Sequence, residues 1–551
     1  MKIKKERHQN KDMRKPLRIE WIVVIISGIL LSCCYLYTDL PFSTSRGLSF
    51  WDCVAEGKPA LFYFSSYPGV EGSVMPNGSE GGSYDFIIYF IFALYNLPLW
   101  IWERLTGFRF LMFYPSRLYT KGIIWLFSGI SACLIYKIAI ECGTKKENAI
   151  WGPILFLSSG LFFLSAVTVG AYDIISVAFS LLGIYGYLKK NNKCFILAFA
   201  VAIASKLFAF WLFIPLLLVK EKKIWKLMLM IVAALSVIIV PKIYFAVGSK
   251  AQLAKDLKAE AVANALAEME ESEEAVAGDD TTANVDSEEK TIAEITEEAE
   301  QSVEVEHLPM VVNDMIAHSD IINDALFPTD YTAIYTFVSL KNMPLVFVGM
   351  FTIWIVCYLI KRELTGTEVI YLCALVMSVF ILTVKIHPYW VILLAPYLSL
   401  VIVLNPDRIK ENLILETVIS IGYVINKAIL YYWCFGMSQI ENMLAPNYKF
   451  SYDPESVITA RYGLERIVFK VSQKVGISEE NVAHTFGAMF VAGIILFLYF
   501  NFPKRVRKEG DIASGWEVRK TMYWRFAFTL FAGCLPVIGL MMYLMPYDWG
   551  K

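Results

Sequence analysis

The sequence predicts an all-α integral membrane protein, a helix bundle of about 12 spanning segments with a re-entrant hairpin and juxtamembrane helices in its first outer loop. Three observations lead there. Of 551 residues, 57% are apolar and 15% aromatic while only 18% are charged, a balance expected when most helices face lipid. Apolar stretches close to the ~20 residues needed to cross a bilayer recur along the chain. Lysine and arginine collect in the short loops between them, as the positive-inside rule requires of cytoplasmic loops.

Residues 1–18, MKIKKERHQNKDMRKPLR, carry eight lysines and arginines, which hold that end in the cytoplasm. The apolar run at 19–37 has no small-residue cleavage site and is long enough to span, so it reads as an uncleaved first helix running outward. Residues 38–117 then form an outer loop. Within it, Leu48, Trp51 and Val54 share one face of an amphipathic segment, which makes Asp52 a surface residue. The stretch 84–107 contains Asp85, Asn96, Pro98, Glu103 and Arg104 with Trp100 and Trp102, a composition suited to a helix lying in the interface.

Further spans are expected at 118–140, 149–168, 174–188, 194–219, 225–247, 344–360, 368–384, 388–404, 413–436, 484–501 and 523–544. Lys145-Lys146, Lys189-Lys190 with Lys193, and the basic cluster at 220–226 all belong inside. Because 194–219 has basic loops at both ends, it must turn back as two half-helices, with Ala204-Ser205-Lys206 at the turn. Lys361-Arg362, the 408–410 loop and the 504–520 loop then fall inside. Residues 38–117, 169–174, 248–343, 385–388 and 437–483 fall outside.

The chain thus divides into a basic cytoplasmic N-terminus (1–18), a transmembrane core (19–247) that includes the outer loop, an acidic insertion (248–343), and a C-terminal transmembrane region (344–551) with its own outer loop at 437–483. The insertion opens with the helix-favouring AKDLKAEAVANALAEMEESEEAV and continues as a polar, acidic tract whose composition predicts disorder. A gate, a docking arm and an inert solvated segment all fit it. Ten scattered cysteines without a CxxC pair indicate neither a disulfide framework nor a zinc site. The charge pattern suggests no nucleic-acid partner, and no internal repeat is present.

Under this topology Asp39, Asp85, Asp173 and the pair Lys385 and His387 converge on the outer face, although they lie far apart in sequence. Charged groups at helix ends of an apolar protein are costly unless solvated, paired or used. Glycosyl transfer from a lipid phosphate needs a base to take the acceptor hydroxyl's proton, and an aspartate suits that role. The departing phosphate needs cations or hydrogen-bond donors, for which Lys206, Lys385, Arg46 and His387 are candidates. Each position also has a plainer role. Asp39 can be an interfacial end-cap of the first helix, Asp85 and Asp173 can cap the helices directly after them, and His387 can be an interfacial histidine before a proline-led helix start. Lys206 has no acid near it in sequence and some two dozen apolar residues around it. An unpaired ammonium in lipid costs roughly 2.5–3.5 kcal/mol, so a lipid phosphate is a natural counter-ion, unless the turn reaches the headgroups and the lysine snorkels.

At these residues the chain resembles the GT-C class of multi-spanning glycosyltransferases, in particular the bacterial polyprenyl-phosphate-mannose-like branch and its dolichyl-phosphate-sugar relatives. Thr38-Asp39, the outer loop containing FWDCVAEGKP, and Gly170-Ala171-Tyr172-Asp173 resemble the acid after the first helix, the first outer loop and the short G-x-[FY]-D outer loop of that class. Ser205-Lys206 stands where the class often has Thr-Lys or Ser-Lys, and His387 with Tyr389 in KIHPYWVILLAPYLSL resembles a later block. The class's proline-rich segment in the first loop is replaced by GSEGGSYDFIIYF, and the acidic insertion has no counterpart. The resemblance covers about residues 19–247 and, more loosely, 344–404.

It implies transfer of a mannose-like hexose, with inversion, from a polyprenyl-phosphate donor to a glycan, lipid or protein acceptor at the outer face of the cell membrane. Asp39 is then the general base and Asp173 a site-organising acid. Asp85, Lys206, Lys385, His387 and Tyr389 are substrate contacts. No cofactor is implied, although oligosaccharide-transferring relatives use a divalent ion. A transporter or flippase of lipid-linked glycans is the rival from another class, and it would concentrate polar groups near the midplane on broken, repeated helices. A membrane scaffold displaying the acidic arm is a third reading, in which Asp39 and Asp173 are freely replaceable.

Overall fold

The computed structural model describes residues 18–34, 39–64, 84–108, 114–277, 345–384, 387–430, 472–503 and 515–544, together with Pro16 and Thr296. Among them every regular element is helical. They fall into two compact units. The first comprises 1–43, 109–237 and 321–551, and the second 44–108 and 238–320.

The first unit holds α1 (Arg18–Cys34), α4 (Tyr114–Glu141), α5 (Lys146–Ala149), α6 (Trp151–Leu157) and α7 (Gly160–Phe162). A π-helical turn (Phe163–Val169) leads to α8 (Asp173–Leu188), α9 (Asn192–Ser205), α10 (Ala209–Lys220) and the start of α11 (Ile224–Ala277). After the insertion come α12 (Leu345–Leu359), α13 (Gly366–Thr383), a 3-10 turn (Pro388–Leu393) and α14 (Ala395–Leu404). The last helices are α15 (Ile409–Leu430), α16 (Glu479–Phe500) and α17 (Gly515–Leu544).

Small residues set the closest contacts. A Cβ on Gly183 of α8 would sit 2.5 Å from the Phe199 ring of α9, and one on Gly186 would sit 2.8 Å from the Phe195 amide. Apolar helices in lipid associate by such close packing because lipid tails are as apolar as they are. Asn405, Asn412 and Asn501 form a second kind of contact, with Asn501 Oδ1 accepting from both other amides at 2.9 and 3.0 Å.

The span expected at 149–168 is broken. Helix α6 ends at Leu157, and the segments 146–157 and 160–169 meet at 41°. A break inside an apolar bundle exposes carbonyls that no water can satisfy. Here Arg525 of α17 fills the gap. Its guanidinium donates to the Leu155 carbonyl at 2.7 Å, to the Ser158 carbonyl at 3.2 Å and to Ser158 Oγ at 2.6 Å, and pairs with Glu416 of α15. The other Glu416 oxygen accepts from Ser159 Oγ at 2.6 Å and Ser420 Oγ at 3.2 Å. Arg525 and Glu416 are each 2% exposed.

The expected span 194–219 is likewise two helices, α9 and α10, parted at 206–208. With about 21 and 18 Å of rise, neither alone covers the ~30 Å hydrocarbon core. Six helices are long and apolar enough to cross a membrane, or seven if the bent pair counts as one, among the described residues. Phe86–Thr106 is one of the six by length and composition, although its charged and tryptophan-bearing end is what suggested an interfacial helix.

The second unit packs α2 (Asp39–Ala55) from Thr44 onward, a 3-10 turn (Pro59–Phe64), α3 (Phe86–Thr106) and α11 beyond residue 237. Gly47 lets α2 touch α3, since a Cβ there would lie 2.8 Å from Phe92 and Ala93 backbone atoms. Phe50, Phe62, Tyr63, Phe86, Tyr89 and Phe245 form its aromatic core. Asp52 lies at the surface but is paired, 2.7 Å from Arg104 and accepting from Trp100 Nε1 at 2.9 Å. Helix α11 runs unbroken from Ile224 to Ala277, so the expected span 225–247 and the helix-favouring start of the insertion are one helix. The acidic tract beyond it, like the outer loop 437–483 as far as residue 471, lies outside the described residues.

Arg525→Leu alone strands a buried carboxylate and should cost about 3–5 kcal/mol, whereas Arg525→Leu with Glu416→Leu should recover the part due to the stranded charge and leave the part due to the Leu155 and Ser158 carbonyls. Thermal unfolding of the purified variants in detergent measures both; equal destabilisation by the single and double changes would show that the pair is not the critical contact.

Candidate functional site

The site grows out of the turn between the π-helical segment and α8. Thr168 Oγ1 bonds the Phe163 carbonyl five residues back at 3.1 Å, and the Ala171 amide closes onto Ser165 O at 2.9 Å. Between them Gly170 sits at φ +72°. Only glycine takes that conformation without strain, and a Cβ would also come 3.1 Å from Lys121 Cε. The turn delivers Tyr172 and Asp173 into the interior, where they are 2% and 1% exposed.

Asp173 is the first residue of α8, not its cap. Tyr172 holds the cap position and makes no side-chain cap bond. The carboxylate is aimed instead at Lys206, whose ammonium lies 3.5 Å from Oδ1. Neither carboxylate oxygen has a hydrogen-bond donor among the described residues, an uncommon state for a buried acid. Lys206 reaches this point because α9 ends at Ser205 and Lys206 is extended (φ −155°, ψ 120°), which carries its side chain out of the helix. Its ammonium also stands 5.0 Å from the centre of the Tyr172 ring. The expectation of a lysine with no acid nearby is therefore corrected. The partner is 33 positions away in sequence and adjacent in space.

Beyond Lys206 the chain continues into Phe208, whose ring meets Trp390 at 4.3 Å and Phe380 at 4.9 Å. Trp390 in turn lies 5.0 Å from the His387 ring, which stacks on Tyr389 at 5.5 Å and 17°. This aromatic wall belongs to the 3-10 turn Pro388–Leu393, fastened by Tyr423 donating to the Pro388 carbonyl at 2.9 Å. His387 is exposed and starts the turn without a side-chain cap bond, while Tyr389 and Trp390 are buried. The Trp390 indole N–H has no acceptor among the described residues. Lys206 and Phe208, two positions apart in the connection between α9 and α10, thus lead from the Asp173 pair to the ring cluster of Phe208, Trp390, His387 and Tyr389.

Asp39 opens α2, and its side chain lies outside the described residues, as does Lys385 altogether. Asp85 belongs to the second unit, where it takes the backbone position of a cap for α3 but pairs its carboxylate with Lys242 at 3.0 Å. Arg46 is buried in that unit.

Lys121 is the functional neighbour that sequence reading missed. It is 3% exposed and donates to the Ser32 carbonyl at 2.7 Å and the Val167 carbonyl at 3.0 Å, so it ties α1 to the turn that carries Asp173. Its position within an expected span was the available signal. Among the described residues no three His, Cys, Asp or Glu side chains gather where they can hold one metal ion. No protein-family model, curated protein or solved structure matches the chain.

A buried acid facing one ammonium, with unused acceptor sites and an aromatic wall beside it, suits a hydroxyl-rich ligand. Hydroxyls donate to the free carboxylate lone pairs, and sugar C–H faces lie on aromatic rings. Gly170→Val should destabilise the chain by about 1–2 kcal/mol through the left-handed backbone alone, and more through the clash with Lys121. A melting temperature equal to that of the parent would show that the turn does not need glycine.

Proposed function

We propose that the chain is a multi-pass membrane glycosyltransferase that moves a hexose, mannose-like, with inversion from a polyprenyl-phosphate donor to a glycan, lipid or protein acceptor at the outer face of the cell membrane. The observation that carries this reading is the buried Asp173 carboxylate, held by Lys206 and unsatisfied by hydrogen bonds, beside the wall of Trp390, His387 and Tyr389.

In this reading Asp173 accepts from hydroxyls of the bound sugar or acceptor and fixes their orientation. Lys206 and His387 stabilise negative charge as the phosphate departs. Asp39, at the start of α2, is the base that takes the acceptor proton. The finer topology rests on the basic loops: a cytoplasmic N-terminus, about 12 crossings, and α9 with α10 forming a hairpin that presents Lys206 outward. The resemblance of Gly170-Ala171-Tyr172-Asp173 and Ser205-Lys206 to GT-C motifs supports the same reading.

One observation favours the rival transporter reading. The bent pair α6 and α7, met at its break by Arg525 of α17 and Glu416 of α15, places charge beside a discontinuous helix inside the bundle. The two readings part on Asp173.

Asp173→Asn keeps the size and the burial but removes the charge. Membranes bearing it should lose transfer from a polyprenyl-phosphate sugar by about 10²-fold or more, as for other groups that orient a reacting pair, with expression unchanged. Lys206→Met should raise the donor KM more than the acceptor KM. Full transfer by Asp173→Asn in a preparation shown to make glycoside product would remove Asp173 from the mechanism. Movement of intact lipid-linked sugar without formation of a new glycosidic bond would establish the transporter instead.

A further inference from the structure

A second site lies away from Asp173, between the N-terminal parts of α1 and α17 and the helix α6. There the helices leave a cleft of about 170 Å³, walled by Val23, Val24, Ile154 and Phe526. An apolar cavity of about 150 Å³ is enough to take a benzene ring, so this one has room for a length of hydrocarbon chain. Its inner end is closed by Ser158 and the buried Arg525. Toward the N-terminal ends of α1 and α17 it is bordered by Glu20 and by Tyr523, which is 46% exposed.

The polar groups at that edge are arranged rather than scattered. Arg519 of α17 bonds Glu20 of α1 at 3.0 Å, and the Tyr523 hydroxyl donates to the same carboxylate at 3.0 Å. Glu20, the acid at the edge, is thereby neutralised. Arg18 and Lys520, one or two residues away along the same helices, are exposed. The sequence that leads into each helix carries more bases than acids: Arg14 and Lys15 against Asp12 before α1, and Lys504, Arg505, Arg507 and Lys508 against Glu509 and Asp511 before α17. An apolar slot whose own acid is paired, lying between helix ends that carry the exposed bases Arg18 and Lys520, complements an amphiphile with a negative headgroup.

We propose that this cleft binds one anionic phospholipid, with an acyl chain against Val23, Ile154 and Phe526 and its phosphate facing Arg18 and Lys520. The inference rests on the chain being embedded in a bilayer and not on glycosyl transfer. The lipid belongs to the leaflet at the N-terminal ends of α1 and α17, which the basic flanks mark as cytoplasmic. It closes the side of the Arg525–Ser158 contact that borders the cleft, and so keeps water from the carbonyls freed at the helix break.

Trp151 lines the cleft and serves as a reporter. The purified full-length chain is placed in bilayers of phosphatidylglycerol or phosphatidylethanolamine with brominated acyl chains, and the Trp151 share of fluorescence quenching is obtained by difference from Trp151→Phe. Brominated phosphatidylglycerol should quench this share at lower mole fraction than phosphatidylethanolamine. Arg18→Gln and Lys520→Gln should each narrow that preference by about fivefold, the worth of one basic residue near an anionic surface. Val23→Phe, at a position 42% exposed and therefore tolerant of bulk, should fill the cleft and abolish the Trp151 share in both lipids. Equal quenching by the two headgroups, an unchanged preference in the charge variants, or Trp151 quenching that survives Val23→Phe would each overturn the proposal. So would a dimeric mass that Val23→Phe converts to monomer, since a second copy of the chain would then be the occupant.

Discussion

A helix cannot stop inside an apolar interior without giving its last carbonyls somewhere to go, and the first unit is organised around one such stop. Between Leu157 and Gly160 the chain changes direction, and Arg525 and Glu416, from two helices hundreds of residues downstream, supply the missing donors and acceptors. The guanidinium suits this place because its fork reaches two carbonyls, a hydroxyl and a carboxylate at once. A lysine in its stead has one point charge and cannot hold that geometry. Hydrophobic residues would pack as well, but would leave the broken end bare.

The break matters to the site because it steers the next stretch of chain. The three residues of α7 and the π-helical turn redirect the backbone into the Gly170 bend, and that bend turns Tyr172 and Asp173 inward. Lys121 then holds the incoming arm of the bend to α1. The buried polar cluster at Ser158–Ser159 and the acid at 173 are therefore the two ends of one buried stretch of chain.

Much of this was legible in the sequence, and the reasons for the rest are specific. The all-helical apolar character, the break at Lys206 and the turn at Gly170-Ala171-Tyr172-Asp173 showed in composition, charge placement and glycine. The Asp173–Lys206 pairing did not, because loop charges predict which side a residue faces and not which neighbour it meets. The stop at Ser158–Ser159 lay inside a stretch read as one span, and its signal was the run Ser158-Ser159-Gly160. The sequence held a second clue: Glu416 and Arg525 are opposite charges inside two expected spans, and such charges seek each other. Lys121 carried the same signal. Asp85 belongs to the second unit, where its partner is Lys242, a neighbour that loop charges do not reveal.

The ion pair at the turn also sets the terms on which any ligand is admitted. An anion arriving at Lys206 does not find a bare cation, because Asp173 is already there at 3.5 Å. Its entry is an exchange reaction: the ammonium divides its field between two negative groups, or the carboxylate yields its place and turns to a hydroxyl that can donate to it. Ligands that bring a phosphate and a donor together satisfy both halves of the exchange, whereas a simple inorganic anion satisfies one and leaves the other uncompensated. On the proposed function, a preference for a bifunctional ligand follows from the contact between Asp173 and Lys206.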